Sequence, residues 1–316
     1  MLVLSKVDYR AYRKFKWIIY VVVLVLLFLV GVKGLSAGGA TRWINIAGFN
    51  FQPSEVAKLG FILFFASLLA DIKEKNKIRH FGWGLIFPLI FLVPVIIAIY
   101  ILQNHFSATF VICAVTVVQM LIAGTRLSHF IMLGVAGLAI IGAYLGIKNT
   151  SGTQKKSFRK SRIETWRDPW SDVTGEGWQI IQSLYAIGSG GLFGAGLGKS
   201  KQKYLYLPEP QNDFIFAVLA EEFGYIGCLM VIILFLVFIW RGILIAMRAK
   251  DTFGSLIAIG ITTLIGIQAI INIAVVTNTM PVTGMELPFF SYGGTQIMIN
   301  LFAVGILLNI SRSAKK

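Results

Sequence analysis

The sequence predicts an all-α membrane protein: a polytopic bundle of about eight transmembrane helices forming one domain, 1–316. Three observations support this class. Hydrophobic residues make up 56% of the chain, charged residues only 14%, and long apolar runs recur along it. Soluble domains are about 45–50% apolar and about 25% charged, so this composition is typical of a protein embedded in a bilayer. The only cysteines, Cys113 and Cys228, lie in apolar runs, which excludes a disulfide framework.

Apolar runs long enough to cross about 30 Å of hydrocarbon define the predicted helices. They lie at 17–35, 54–70, 81–102, 106–123, 127–147, 214–239, 252–279 and 287–310. Lys16 and Lys33 flank the first run, and their side chains can reach the headgroups and lengthen it. The basic start and first apolar run are also typical of a signal peptide, but "GLSAGGA" is a poor cleavage site and further spans follow.

Lysines and arginines predict the orientation, because short cytoplasmic loops carry an excess of them. With both termini cytoplasmic, sixteen of the 29 basic residues lie in short cytoplasmic segments: 1–16, 71–80, 124–126, 240–251 and 311–316. Ten others lie in one large extracytoplasmic loop, 148–213, and long loops do not follow this rule. The chain is therefore expected to place both termini inside and this large loop outside.

The large loop combines ten basic residues with three tryptophans, which predicts contact with anionic groups at the membrane surface. Two interpretations are open: contact with phospholipid headgroups, or a cup for a lipid-linked phosphate or pyrophosphate. A nucleic-acid module is excluded, since the basic residues lie between apolar spans rather than along one helix face. The "GKS" at 198–200 is not a nucleotide-binding P-loop, because that motif needs glycine where this chain has Phe193.

Acidic residues near membrane depth are informative because the chain has only 14 Asp and Glu. Glu55 and Lys58 are three residues apart on one helix face, either as a local ion pair or as substrate ligands. Asp213 follows "PEPQN" and opens a helix, where the helix dipole favours an ionised carboxylate. It is either a helix cap or a functional group that accepts a hydroxyl proton or holds a divalent cation. Glu221 lies about two turns farther along, at the outer headgroup edge.

Two further segments have unusual backbone chemistry. The glycines at 188, 190, 191, 194, 196 and 198 indicate a flexible segment that allows close approach beneath a substrate. The segment "MELPFFSYGGTQ" interrupts a helix at membrane depth with Pro288 and Gly293-Gly294. Such an interruption either lines a cavity or is a plain entry from loop to helix.

The chain resembles the SEDS family of FtsW, RodA and SpoVE proteins, and the features are most similar to the FtsW/SpoVE branch. Four stretches carry the resemblance, in the family's order: "RWINIAGFNFQPSEVAKL" (42–59), "GWQIIQSLYAIGSGGLFGAGLGKSKQK" (177–203), "YLPEPQNDFIFAVLAEEFGYIG" (206–227) and "NTMPVTGMELPFFSYGGTQ" (278–296). The resemblance implies a peptidoglycan glycosyltransferase of the bacterial cytoplasmic membrane that polymerises lipid II at the outer face. Undecaprenyl pyrophosphate would be its leaving group, and cell division, cell shape or sporulation the process served.

The resemblance also implies roles for individual residues. Asp213 matches the family's catalytic aspartate, a base on the 4-hydroxyl of the acceptor sugar, with inversion at the donor's anomeric carbon. A divalent cation, Mg²⁺ or Mn²⁺, is an optional partner of this carboxylate. Arg42, Glu55 and Lys58 carry over as residues of the substrate cavity. Lys199, Lys201 and Lys203 match a basic stretch of the family's large loop, and we infer that they bind the pyrophosphate. Glu221, from its position at the outer headgroup edge, is also expected to bind substrate. The expected partners are lipid II, the nascent glycan, membrane lipids and a class B penicillin-binding protein, the family's usual transpeptidase.

Two departures from the family pattern bear on activity. The match starts after the family's second membrane helix, so the chain is expected to lack the first two, as a truncated form or a shortened paralogue. The outer turn usually written Gln-Pro-Asp is Gln103-Asn104-His105 here, which removes an acid. Two alternative functions are a lipid II flippase or transporter and a non-catalytic scaffold for a transpeptidase. A transporter should have charges at the midplane and internal repeats, whereas the charges here cluster at the outer face.

Overall fold

The computed structural model describes residues 1–37, 40–46, 49–134, 164–173, 175–205, 207 and 210–314. Within this part of the chain, five helices are long and apolar enough to cross a membrane: Gly82–Leu102, Phe106–Ala123, Ile215–Arg248, Thr252–Val276 and Gly294–Ser313. These helices confirm the polytopic helical bundle, and they correspond to five of the eight predicted spans.

The described residues of the amino-terminal half form five α-helices and three short strands, besides the helical residues 127–134. The helices are α1 (Arg10–Lys14), α2 (Lys16–Lys33), α3 (Pro53–Glu74), α4 (Phe87–Ile97) and α5 (Phe106–Ala123). Two π-helical turns, Gly82–Ile86 and Ala98–Leu102, extend α4 at both ends. The strands are β1 (Leu35–Ala37), β2 (Ala40–Ile46) and β3 (Phe49–Phe51).

The carboxy-terminal half begins with described parts of the large loop and ends with three long helices. The loop contributes a 3₁₀ turn at Pro169–Asp172, α6 (Glu176–Gly190) and the single turn α7 (Gln202–Leu205). The long helices are α8 (Ile215–Arg248), α9 (Thr252–Val276) and α10 (Gly294–Ser313).

The three remaining predicted spans have different outcomes. The spans predicted at 17–35 and 54–70 fall on α2 and α3, which are helical but not among the five long apolar helices. The apolar part of α2, Lys16–Gly31, is short, and α3 carries charged residues at both ends. The span predicted at 127–147 is described, and helical, only over 127–134.

A small antiparallel sheet connects α2 to α3, and it was not predicted. Helix α2 ends at Lys33, two residues before the predicted boundary, because Gly34 adopts an extended conformation with φ −71° and ψ 147°. Strand β2 is the central strand and pairs with β1 and β3. Its β-branched and aromatic residues favour this conformation. Helix α3 then begins with a proline in its first turn, a position that proline favours.

Helices α3 and α9 form the centre of the bundle. The apolar window of α9 is 67% buried, compared with 22% for α8, which therefore lies at the periphery. Helix α5 is attached to both central helices by the Gln119 side-chain amide, which donates to the carbonyls of Ile62 (3.3 Å) and Leu256 (3.0 Å). Gly260 leaves room for this amide, since a Cβ there would lie 2.6 Å from Gln119 Nε2. Such interhelical hydrogen bonds help to hold helices together where lipid supplies no hydrophobic driving force.

Charged residues from distant parts of the sequence meet at one end of the bundle. Arg10 Nε lies 3.1 Å from Asp251 Oδ2, and Arg13 Nη2 lies 2.6 Å from Asp71 Oδ1. Arg312 lies near the same amino-terminal segment and donates to a carbonyl in it at 3.5 Å. The segments that meet are four of the five predicted to be cytoplasmic: 1–16, 71–80, 240–251 and 311–316.

Candidate active site

Three chain segments meet at the opposite end of α3, whose 22 residues span about 33 Å. They are the start of α3, the segment 210–214 before α8, and the segment 277–293 between α9 and α10. Asn272 in α9 joins the last two segments, because its side-chain amide donates to the carbonyls of Asp213 (2.7 Å) and Met285 (2.6 Å). The start of α3 is attached to α10, since the Gln52 N–H donates to Thr295 Oγ1 at 3.2 Å.

Ser291 fixes the two loop segments to each other. Its hydroxyl donates to the carbonyl of Asn212 at 2.6 Å and accepts from the N–H of Leu287 at 2.7 Å. The Tyr292 N–H donates to the carbonyl of Gln211 at 2.8 Å. The segment around "FFSYGG" is therefore more than an entry into α10, because its backbone holds the residues before Asp213 in place.

Asp213 is half-buried and lies next to the segment 277–293. Gly284 packs against its carboxylate, since a Cβ at position 284 would lie 3.3 Å from Oδ2. Gly284 also has φ +64°, a conformation that favours glycine. Asp213 is not the cap of α8: the residue flanking the helix is Phe214, which makes no side-chain cap hydrogen bond. The capping interpretation of Asp213 is therefore wrong.

Glu55 and Lys58 form an ion pair in the first turns of α3. Lys58 Nζ lies 2.7 Å from Glu55 Oε1, and the two residues are 4% and 7% exposed. The i, i+3 contact predicted from their spacing is confirmed. Taking both charges out of water is costly. Removing either partner would therefore leave the other charge buried and unpaired, which is strongly destabilising.

Glu286 is a fourth charged residue near this site, and the sequence interpretation missed it. Burial, the largest cause, and the charges of Glu55 and Asp213 together raise the pKa of Glu286 to about 8, and Lys58 opposes the shift. The charges of the ion pair and of Asp213 therefore act on this carboxyl. One signal in the sequence pointed to it, namely an acidic residue inside the interrupted helix "MELPFFSYGG".

The large loop packs onto the same end of the bundle. The Ser183 hydroxyl in α6 donates to the carbonyl of Val276 at 2.6 Å. Trp166 Nε1 donates to the carbonyl of Asn278 at 3.0 Å. Both acceptors lie where α9 ends and the segment 277–293 begins. The loop thus supports the backbone that carries Glu286.

Glu221 holds the basic part of the loop. Its carboxylate accepts from the Ser200 hydroxyl (2.6 Å) and from the backbone N–H groups of Lys201 (2.9 Å) and Gln202 (3.3 Å). This contact fixes the segment that carries Lys199, Lys201 and Lys203. All three of these donors are groups of the protein itself. Substrate binding by Glu221 therefore stays a prediction. Lys199 and Lys201 are exposed and Lys203 is half-buried.

The glycine-rich segment completes a break in α8. Gly224 interrupts that helix with φ 67° and ψ −166°. The N–H groups of Ala195 and Gly196 donate to the carbonyls of Glu221 and Glu222 at 2.9 and 3.0 Å. Beyond the break, the N–H groups of residues 225 and 226 donate to carbonyls of residues 191 and 192 at 2.9 and 3.2 Å. These glycines approach a protein helix closely, whereas the predicted approach to a substrate stays a prediction.

The outer turn at 103–105 borders the same region. His105 is 6% exposed and precedes the first residue of α5. Two residues on, the Ser107 hydroxyl donates to the carbonyl of Thr283 at 2.6 Å, which ties this turn to the segment 277–293. His105 therefore lies close to the site, at the position where the resemblance leads us to expect an acid.

Two predictions about site residues extend beyond what the structure describes. Arg42 lies on β2, but its side chain is outside the described residues. A cation at Asp213 stays a prediction. Within the described residues, no group of three or more His, Cys, Asp and Glu could hold a metal ion. Fewer than three such side chains of the described residues thus meet at Asp213, so a cation there would need further ligands.

The family model described as "Cell cycle protein", that of FtsW, RodA and SpoVE, matches residues 1–316. The chain belongs to the FtsW/RodA/SpoVE family. This SEDS protein is 43% identical over 317 residues to "Stage V sporulation protein E" of Bacillus subtilis (strain 168), covering 100% of this chain and 84% of the relative. It is 42% identical to "Probable peptidoglycan glycosyltransferase FtsW" of Geobacter sulfurreducens (strain ATCC 51573 / DSM 12127 / PCA), covering 100% and 82%.

Solved structures agree with this SEDS assignment. One described as "Structural coordination of polymerization and crosslinking by a peptidoglycan synthase complex" matches with a TM-score of 0.80 at 27% identity, covering 98% of this chain and 84% of that chain. The rod shape determining protein RodA of Thermus thermophilus matches with a TM-score of 0.67 at 25% identity, covering 99% and 83%. The higher identity to the FtsW and SpoVE relatives confirms the predicted branch, and the chain is shorter than these relatives.

Proposed function

We propose that this SEDS protein is an inverting peptidoglycan glycosyltransferase that polymerises lipid II at the outer face of the cytoplasmic membrane. The observation that carries the proposal is the position of Asp213. Its carboxylate lies where three chain segments meet, near the buried Glu55–Lys58 pair and at the end of the bundle opposite the basic cluster. Curated FtsW relatives bear the same activity in their names.

The residues of the site suit the chemistry of glycosyl transfer. Asp213 removes the proton from the acceptor sugar's 4-hydroxyl as that oxygen attacks the donor's anomeric carbon. The bond to the lipid-linked pyrophosphate breaks at the same carbon, which inverts its configuration. Because charge develops on the pyrophosphate, nearby cations should stabilise the transition state. Lys58, Arg42 and the three lysines of the loop are the proposed source of that charge.

The membrane arrangement follows from the distribution of charge. We place eight helices across the bilayer, with both termini in the cytoplasm and the large loop outside. Helices α2 and α3 are then spans, as is the helix that begins in 127–134. Basic segments that meet at one end of the bundle support this orientation, because cytoplasmic loops are enriched in lysine and arginine.

The proposed partners are lipid II, the nascent glycan, membrane lipids and a class B penicillin-binding protein. The similar solved structure concerns a peptidoglycan synthase complex that coordinates polymerisation with crosslinking. A transpeptidase partner would supply the crosslinking. Asp213 would help to hold Mg²⁺ or Mn²⁺ when one is bound, and the ion would supply positive charge that stabilises the leaving pyrophosphate.

Polymerisation of fluorescent lipid II by the purified protein tests this function, both alone and with its transpeptidase partner. We expect long glycan strands and release of undecaprenyl pyrophosphate. A parallel vesicle assay follows movement of lipid II between leaflets. Movement without glycan would favour a flippase. Neither movement nor glycan, with the partner still bound, would favour a scaffold.

A further inference from the structure

A cavity of about 300 Å³ lies at the end of the bundle opposite the candidate active site. Four helices meet around it: α3, α5 and α8 end there, and α9 begins there. Its volume is at the lower limit of ligand-binding clefts, which enclose about 300–1,000 Å³. The cavity is therefore large enough for a small polar group, such as the headgroup of a lipid.

One side of the cavity presents positive charge and hydrogen-bond donors. Lys73 comes from the last turn of α3, and Lys250 from the link between α8 and α9. Thr252 and Ser255, in the first turn of α9, add two hydroxyl groups. An ammonium group donates up to three hydrogen bonds and a hydroxyl donates one. This combination suits a ligand with several anionic oxygens.

The positive charge of the two cavity lysines is not neutralised by the protein. The acids of the same helix ends pair with other cations. Arg13 Nη2 lies 2.6 Å from both Asp71 Oδ1 and Glu74 Oε2. Arg10 Nε lies 3.1 Å from Asp251 Oδ2. Neither cavity lysine forms an ion pair with any residue that the structure describes, so an anion from outside can take that place.

The other side of the cavity is apolar and continues onto the membrane-facing surface. Ile122, near the end of α5, is 49% exposed, and Met247, near the end of α8, is 75% exposed. Both helices are long and apolar enough to cross a membrane. A soluble anion or an acidic peptide would leave these side chains in water, whereas the acyl chains of a phospholipid would cover them.

We propose that this cavity binds the phosphate diester of an anionic phospholipid such as phosphatidylglycerol. Lys73 and Lys250 contact the phosphate oxygens, and the acyl chains lie against Ile122 and Met247. Basic pockets between membrane helices are suited to such headgroups. The bound lipid contacts all four helices, so it should stabilise the bundle. This inference does not depend on the proposed polymerase activity.

Native mass spectrometry of the delipidated protein in a neutral detergent, titrated with phosphatidylglycerol, tests the inference. The comparison ligands are phosphatidylcholine with the same acyl chains and inorganic phosphate. We expect phosphatidylglycerol to bind at least about tenfold more tightly than phosphatidylcholine, whose choline group is repelled by the lysines. Inorganic phosphate should not displace the lipid, because the free anion gains nothing from the apolar side.

Charge-matched variants locate the site. Lys73→Gln with Lys250→Gln should raise the Kd for phosphatidylglycerol about 10- to 30-fold. Lys14→Gln with Lys75→Gln removes the same charge from two exposed lysines outside the cavity, and salt screening should keep its effect below about threefold. Met247→Glu places a carboxylate on the apolar side and should also weaken binding. These side chains are exposed, so every variant should unfold near the wild-type temperature in lipid-free detergent. Added phosphatidylglycerol should then raise the Tm of the wild type and of the Lys14/Lys75 control, but not that of the cavity variant.

Equal losses in the two double variants would overturn the inference, because binding would then follow overall charge rather than the cavity. Unchanged binding by the cavity variant, or equal affinity for phosphatidylcholine, would also overturn it. Displacement by inorganic phosphate would assign the cavity to a free anion instead of a lipid. None of these measurements uses lipid II, so failure of the proposed function would leave the result unaffected.

Discussion

At the scale of single residues, the Glu55–Lys58 pair is a charged contact that depends on both partners. Changing Lys58 to methionine leaves a buried glutamate without its cation, which should destabilise the fold by about 3–5 kcal/mol. The double change Glu55→Gln with Lys58→Met removes both charges and should recover most of that loss. Thermal unfolding in detergent measures the stability, and polymerisation of lipid II measures the activity that neither variant should retain.

Lys73→Met is the matched control for this cycle, because Lys73 lies on the same helix and is exposed. It should change stability by less than about 0.5 kcal/mol. A double variant no more stable than the single one would show that the pair is not a coupled unit. A fully active double variant would remove both residues from the proposed site.

Local spacing decided which site residues could be predicted. The contact between Glu55 and Lys58 follows from an i, i+3 separation on one helix. The charge of Asp213 acts on Glu286 although Asp213 lies 73 positions earlier, and no local pattern brings these residues together. The contacts of Glu221 were missed for the same reason, since Ser200 belongs to a separate loop.

At the scale of secondary-structure elements, the break in α8 depends on glycine in two segments. Gly194 has φ +79°, and a Cβ there would lie 2.2 Å from the carbonyl oxygen of Glu222. Gly194→Ala should therefore destabilise the protein by at least about 1–2 kcal/mol, through backbone strain and loss of the hydrogen bonds across the break. Hydrogen exchange of residues 191–196 and thermal unfolding both measure this effect.

Gly188→Ala provides the contrast, since a Cβ there meets nothing within 4 Å. It lies in α6, where alanine is favoured over glycine by up to about 1 kcal/mol, so this variant should be at least as stable as wild type. If Gly194→Ala and Gly188→Ala had the same thermal stability, the glycine-rich segment would not support α8.

Element prediction succeeded where hydrophobicity alone determines structure. The five long helices of high hydropathy were predicted from the sequence. A helix satisfies its own backbone hydrogen bonds, so a long apolar run in lipid is expected to be helical. The sheet between α2 and α3 was missed because it is short, and its strands directly follow an apolar run that reads as helix. The alternative interpretation of Asp213 as a helix cap was wrong because α8 begins two residues later, at Ile215.

At the scale of the whole molecule, the two ends of the bundle have different chemistry, and this predicts the topology. In a chain whose native cysteines are changed to serine, Ser171→Cys and Lys199→Cys should react with a membrane-impermeant maleimide in spheroplasts. Lys75→Cys and Lys250→Cys should react only after permeabilisation. All four positions are exposed, so accessibility within the protein is matched. The reverse pattern would place the proposed site in the cytoplasm.

The class and the family could be predicted from the sequence, because they follow from its composition and from the order of its motifs, and the sidedness stays a prediction. It could not supply the convergence of three distant segments, which depends on hydrogen bonds from Asn272 and Ser291 to backbone carbonyls. Those residues belong to an apolar helix and a loop, and neither has a local pattern that distinguishes it.

Turnover of lipid II by Asp213→Asn tests the central claim most directly, namely that this carboxylate is the base of an outward-facing glycosyltransferase site. The amide keeps the shape of the side chain but cannot accept the proton. We predict that kcat falls by about 10²–10⁴-fold while undecaprenyl pyrophosphate still binds. Asp168→Asn, at an exposed aspartate elsewhere in the large loop, should polymerise at nearly the wild-type rate. A wild-type kcat for Asp213→Asn would contradict the account.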